Sequence, residues 1–196
     1  MTLPGPHLPQ LVLRPGELVV TRESRWVITL LGSCVAVTMF NARLHLAAIC
    51  HGMLPGPRNE ECPAAGQPQQ FRYLSCVIPE MAGRFQMAGI DVSEIEVKMF
   101  GGGNVINLGA ESHQKQWIGT ANVTAARSLL QAARLTVRSE NVGGSCGRKI
   151  VFNTHSGLVL HKHLSRSEQI KVGNKWAGPL PREMTGACNA ACLHDH

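Results

Sequence analysis

Two apolar runs separated by only three residues constrain this chain more than any other feature. Residues 35–40 and 44–50 are mostly apolar, and Asn41-Ala42-Arg43 interrupts them. Runs of this length bounded by polar residues read as strands, and so short a connection folds the two antiparallel upon each other. The far ends of such a hairpin meet. Cys34 stands just before the first strand and His51 just after the second. The hairpin therefore sets a thiol beside an imidazole.

A cysteine attacks a carbonyl only as its thiolate, and a nearby imidazole is the usual means of generating one near neutral pH. Gly32-Ser33, immediately before Cys34, adds a second element. Glycine takes backbone angles closed to other residues, and a tight turn there exposes N–H groups able to hold an oxyanion. Free cysteine also serves widely as a small buried hydrophobe, and Cys50 and Cys76, inside apolar stretches, read that way. Spacing alone leaves Cys34 open to both readings.

Longer motifs bear on the choice. Leu31-Gly32-Ser33-Cys34-Val35-Ala36-Val37, followed by His51-Gly52-Met53-Leu54-Pro55, resembles the signature of the chemoreceptor glutamine deamidases, the CheD family of bacterial chemotaxis. Downstream, Lys98-Met99-Phe100-Gly101-Gly102-Gly103-Asn104, then Ile118-Gly119-Thr120-Ala121-Asn122, then Asn141-Val142-Gly143-Gly144 with Gly147-Arg148-Lys149-Ile150 and Gly157, resemble further motifs of that family in the same order. The likeness spans roughly residues 15–163. This chain departs from it at Ala121, where the family usually carries arginine, and at Asn141, where it carries aspartate. The resemblance implies Cys34 as nucleophile, His51 as its base, and Thr29 as counterpart of the family's third site residue, a threonine ahead of the cysteine.

Composition agrees with a single globular domain. The chain has 196 residues, 44% apolar and 16% charged, enough to bury one sizeable core. No stretch reaches the roughly 20 apolar residues that span a bilayer. The start, Met1-Thr2-Leu3-Pro4-Gly5-Pro6, lacks the basic and apolar regions of a signal peptide. The expectation is a cytoplasmic protein with no membrane insertion. Seven cysteines, odd in number and irregularly spaced, form no disulfide framework, so reduced thiols are expected. The net charge of +6 is uneven: residues 127–182 hold ten Lys or Arg against Glu140 and Glu168. That surplus suits a solvated face or an acidic protein partner. Nucleic acid is not expected, because the region's aromatics are Phe152 and Trp176 and no stacking motif is present.

Residues 1–16 carry four prolines and two glycines and read as an arm, residues 17–165 as the catalytic domain, and residues 166–196 as a partly disordered extension. Within the domain, residues 17–20 and 26–31 read as strands, and residues 55–70 as a proline-rich loop beside the site. Leu74, Val77, Ile78, Met81 and Phe85 keep helical spacing, with Pro79 predicting a kink or a later start. Residues 94–100 alternate as a half-buried strand leading into Gly101-Gly102-Gly103. No Lys-Ser/Thr follows, so this is a tight turn rather than a phosphate loop. Val123, Ala126, Leu130 and Ala133 mark a second helix, with Asn122 as its cap. Strands near 149–152 and 158–161 follow, with His155, His161 and His163 on a strand surface. Cys188, Cys192, His194 and His196 lie off the usual zinc spacings.

The expected fold is α/β, with layered β-sheets flanked by helices in a CheD-like, deamidase-toxin-like single domain. The resemblance implies hydrolysis of a glutamine side-chain amide in the cytoplasmic domain of a chemoreceptor (a methyl-accepting chemotaxis protein), without metal or cofactor. Gly32 and Ser33 would shape the oxyanion site. Activity on receptor methyl esters and a CheC-type phosphatase partner are further implications. Two rival classes share some of these features: another thiol hydrolase or transglutaminase, and a non-catalytic adaptor that binds receptor or phosphatase.

Overall fold

The computed structural model describes residues 8–57, 61–64, 66–67, 70–104 and 113–164, of which 113–117 by backbone alone. In chain order the strands are β1 (Gln10–Val12), β2 (Leu18–Thr21), β3 (Trp26–Leu31), β4 (Val35–Asn41) and β5 (Leu46–Cys50). They continue as β6 (Glu96–Gly101), β7 (Val137–Val142), β8 (Arg148–Asn153) and β9 (Val159–His163). Helix α1 (Leu74–Met87) precedes β6 and α2 (His113–Ala132) follows it. One sheet has the order β1-β3-β8-β9, the other β2-β5-β4-β6-β7. This is the α/β arrangement of layered sheets expected of the chain.

The hairpin of β4 and β5 lies inside the larger sheet, in register from Thr38↔Ile49 to Asn41↔Leu46. All seven residues of β4 are buried, because both its faces are covered. Side chains alternate across a strand. Val35, Val37 and Met39 accordingly join Ala48, Cys50, Val97 and Met99 against Leu74, Val77, Ile78, Met81 and Phe85 of α1 and Val123, Ala126 and Leu130 of α2. On the opposite face, Ala36 packs with Phe100, Leu31 and Ile150, and Phe40 with Val27 and Phe152. The layers are thus helices, five-stranded sheet, four-stranded sheet.

Several expectations are corrected. From residue 8 onward, the stretch read as an arm is built into the domain: β1 pairs in parallel with β3 and Leu13 is buried. The first helix starts at Leu74 despite Pro79, which lies on its exposed side. Its leading N–H groups are taken by loop carbonyls, Leu74 to Leu54 at 2.9 Å and Ser75 to Pro55 at 3.0 Å. The second helix begins nine residues before Asn122, so Asn122 is no cap but a fully buried residue in mid-helix. Reduced thiols throughout are also overturned: Cys62 and Cys76 form a disulfide, because the loop ahead of α1 sets their Cα atoms 5.7 Å apart, within bridging range. Cys34, Cys50 and Cys146 are free. Part of the basic surplus is not a solvated face, since Arg148 and Lys149 are buried. His161 and His163 lie on β9, whereas His155 sits in the turn before it and stacks on His45. The Cys188, Cys192, His194 and His196 group and the extension lie outside the described residues. No helix among the described residues is long and apolar enough to cross a membrane.

Candidate active site

The chain crosses from one sheet to the other at Gly32-Ser33-Cys34, between the end of β3 and the start of β4. His51 follows β5 directly, and Val35 and Gly52 form an antiparallel bridge with N···O distances of 2.9 Å both ways. Cys34 and His51 each lie one residue from that bridge, so both project from the same face of the sheet, the face toward the second sheet. Cys34 packs there beside Leu31, Ala36, Phe100 and Ile150. Their diagonal relation across the ladder is within reach of an imidazole.

Thr29 enters from the opposite layer. On β3, Val27 and Leu31 belong to the clusters between the sheets, and Thr29 shares their side of the strand. Its Oγ1 lies 2.7 Å from Nδ1 of His51 and donates to the carbonyl of Leu13 at 2.9 Å. With the hydroxyl donating to the Leu13 carbonyl, its oxygen is free to accept from Nδ1–H of the His51 ring. Nε2 is then the free base. The structure joins Thr29 to His51 by a hydrogen bond and sets Cys34 among the residues between the two sheets.

Burial governs the electrostatics. His51 is 2% exposed, and burial pushes its pKa down to about 4, opposed by the Leu13 carbonyl. Burial likewise raises the Cys34 thiol, opposed by its own backbone N–H. The resting pair is therefore a neutral thiol and a neutral imidazole, and the imidazole is unprotonated and ready to accept a proton at neutral pH.

The turn that bears Cys34 is held by three successive carbonyls. Gly103 N–H donates to Gly32 O at 2.8 Å, Asn122 Nδ2 to Ser33 O at 2.9 Å, and Gly102 N–H to Cys34 O at 2.8 Å. Among the described residues no backbone carbonyl takes the N–H of Ser33 or Cys34. The glycine run is thus a tight turn that braces the segment bearing Cys34. Gly101 has φ +106°, and a Cβ there would stand 2.2 Å from Cys34 O. At Gly102 a Cβ would meet Val123 of α2 at 2.2 Å.

Sequence reasoning missed four contributors. Leu13 supplies a main-chain acceptor, which no side-chain pattern announces. Gly16 N–H and Glu17 O pin the backbone of His51 at 2.8 and 3.0 Å, from residues assigned to an arm or to a strand start. Asn122 donates to both Ser33 O and Met53 O, at 2.9 and 3.0 Å. Its place inside a motif, after Gly119, was the available signal.

The comparisons with known proteins place this architecture. A family model described as CheD chemotactic sensory transduction matches residues 53–163, beginning just after His51. A protein of Geobacter sulfurreducens named probable chemoreceptor glutamine deamidase CheD 2 is 41% identical over 169 residues, covering 86% of this chain and 98% of its own length. One of Oleidesulfovibrio alaskensis, named probable chemoreceptor glutamine deamidase CheD, is 40% identical and covers 82% of this chain and 75% of its own. A Maridesulfovibrio salexigens protein of the same name is 34% identical over 79% and 91%. A set of strands in two layered sheets, with a cysteine-bearing turn and a buried histidine at their crossing, is here that of a chemotaxis protein. The chain belongs to the CheD family.

Proposed function

We propose that this protein hydrolyses glutamine side-chain amides of chemoreceptors to glutamate, with Cys34 as nucleophile, His51 as base and acid, and Thr29 as the residue that orients His51. The observation that carries the reading is the 2.7 Å contact of Thr29 Oγ1 with His51 Nδ1. With Nδ1 engaged by Thr29, Nε2 is the ring nitrogen left to act as the base. The names of the relatives supply the substrate class.

Nε2 of His51 takes the thiol proton as Sγ attacks the amide carbon, and the oxyanion is held by N–H groups of the Cys34 turn. The imidazolium returns the proton to the nitrogen, the C–N bond breaks, and ammonia leaves. A thioester remains. Water, deprotonated by His51, adds to it; collapse breaks the C–S bond and restores the thiol. A buried imidazole with a low pKa makes the first transfer reluctant, since it creates an ion pair in a dry site. Bound substrate, by bringing an incipient oxyanion to the turn, would favour that step. The receptor's cytoplasmic domain is the proposed partner, with a cytoplasmic location. A CheC-type phosphatase partner is carried from the family resemblance alone.

Ammonia release from a receptor cytoplasmic fragment, with mass spectrometry of its glutamines, tests this. The parent protein should convert amides to acids, and Cys34→Ala should not. Substantial turnover by Cys34→Ala would sink the thiol mechanism. Peptide cleavage or amine incorporation in place of acid formation would favour a protease or transglutaminase, and receptor binding without turnover an adaptor.

A further inference from the structure

We infer that Asn122 is a positioning residue for the oxyanion site, aiming the N–H of Cys34 through its hydrogen bond to the carbonyl of Ser33. The inference rests on Cys34 being the nucleophile.

In a trans peptide the C=O and the following N–H point in opposite directions. Fixing the Ser33 carbonyl therefore fixes the Cys34 N–H. Asn122 Nδ2 lies 2.9 Å from Ser33 O, so the α2 side of the turn is where the carbonyl points. The Cys34 N–H faces the other way, toward the layer between the sheets that holds the Cys34 side chain itself. Gly32 O and Cys34 O are bonded by main-chain N–H groups of the glycine run. Between them, Ser33 O depends on a side chain. The peptide that would present the donor is therefore held by Asn122.

The same amide group reaches across to the histidine's segment. Nδ2 also donates to Met53 O at 3.0 Å, two residues beyond His51. One buried NH2 thus ties the turn before β4 to the segment after β5. Asn122 is fully buried, and its Oδ1 finds no hydrogen-bond partner among the described residues. Leaving a buried acceptor unpaired is costly, and a purely structural residue at a helix–sheet contact would gain from being apolar. The donor half of the amide is what the site uses.

The test separates aiming from folding. Asn122→Ala and Asn122→Asp would be compared with the parent and with Leu130→Ala, a truncation of a fully buried core residue two turns along α2. Asn122→Asp keeps the shape, but when ionised it sets a carboxylate against two carbonyls. Three quantities would be read: kcat and KM on a receptor fragment, and the rate of Cys34 alkylation by iodoacetamide, a reaction that needs the thiolate but develops no oxyanion. Deleting an oxyanion donor outright costs roughly 10²–10³ in kcat. Misaiming one should cost on the order of tenfold to a hundredfold, with KM and the alkylation rate within about threefold of the parent. Leu130→Ala should lose stability and keep kcat.

Equal kcat losses in Leu130→Ala and Asn122→Ala, or unchanged kcat in folded Asn122→Ala, would overturn the inference. So would failure of both Asn122 variants to fold, since the residue would then hold the fold and not the donor. Parallel falls in alkylation and kcat would show that Asn122 sets the thiol–imidazole contact instead, again against the inference. Full activity in Cys34→Ala, by contrast, would refute the functional reading beneath it.

Discussion

Acidification should unfold this protein through His51. The ring is neutral and buried in the native state, at a pKa of about 4 against an ordinary 6.5, whereas the unfolded chain returns it to water. Between those two pH values the unfolded state binds more protons, so stability is whole above about pH 6.5 and falls as pH drops toward about 4. Below that both states are protonated and the loss levels off. A gap of about 2.5 units, at 1.36 kcal/mol each, makes a total loss of about 3 kcal/mol. That is a large fraction of a marginal total. The assay is urea unfolding at half-unit pH steps, parent against His51→Gln. Carboxylates such as Glu94, which Arg43 holds down at about 2, titrate alike in both proteins and cancel in the difference. The difference curve should bend across pH 6.5–4 and be flat above. Parallel stability curves, or a His51 NMR titration midpoint at or above 6.5, would refute the reasoning.

Other consequences are local. Thr29→Val keeps the shape but removes the oxygen that accepts from Nδ1; kcat should fall on the order of tenfold to a hundredfold, at or below the low end of general acid–base contributions because the base itself remains, and Thr29→Ser should restore most of it in the same ammonia assay. Gly101→Ala must put a Cβ 2.2 Å from Cys34 O at φ +106°; a loss of at least ~2 kcal/mol is expected from backbone strain alone, read as a lower urea midpoint, and iodoacetamide kinetics at Cys34 should change with it. If an acidic surface of the receptor is recruited by the remaining exposed basic residues, receptor turnover should weaken as salt shortens screening below ~8 Å, while turnover of a short glutamine peptide holds steady; equal responses would assign the charge to solvation.

The parts readable from sequence are those whose physics is local. The hairpin shows itself because residues 35–40 and 44–50 are apolar on both sides, and both faces of β4 are in fact covered. Apolar spacing likewise marks α1 and the second half of α2. β7, by contrast, presents three exposed positions out of six as an edge strand and has no alternation to read. The first turns of α2 contain Gly119, whose value is close approach: a Cβ there would lie 2.6 Å from Gly102 O. A polar residue ahead of an apolar stripe then looks like a cap, which is how Asn122 reads. The disulfide joins cysteines 14 apart that share no motif. Of the site, Cys34 and His51 follow from hairpin geometry and the family likeness, and Thr29 from the likeness alone. Main-chain partners such as Leu13 O leave no mark on a sequence.

The sheet that carries Thr29 is assembled from the two ends of the described chain. β3 is flanked by β1 and β8, and its ladder with β8 pairs Thr29 with Ile150. The larger sheet's β4–β5 hairpin needs no such reach. Contacts this distant close late, after local ones have formed. Cys34 and His51 should therefore be neighbours early in folding, on a hairpin whose second wall has yet to arrive. A ribosome-bound chain halted before β8 would carry both residues and still lack the threonine's grip on the imidazole. Competence would come only when the last strands dock.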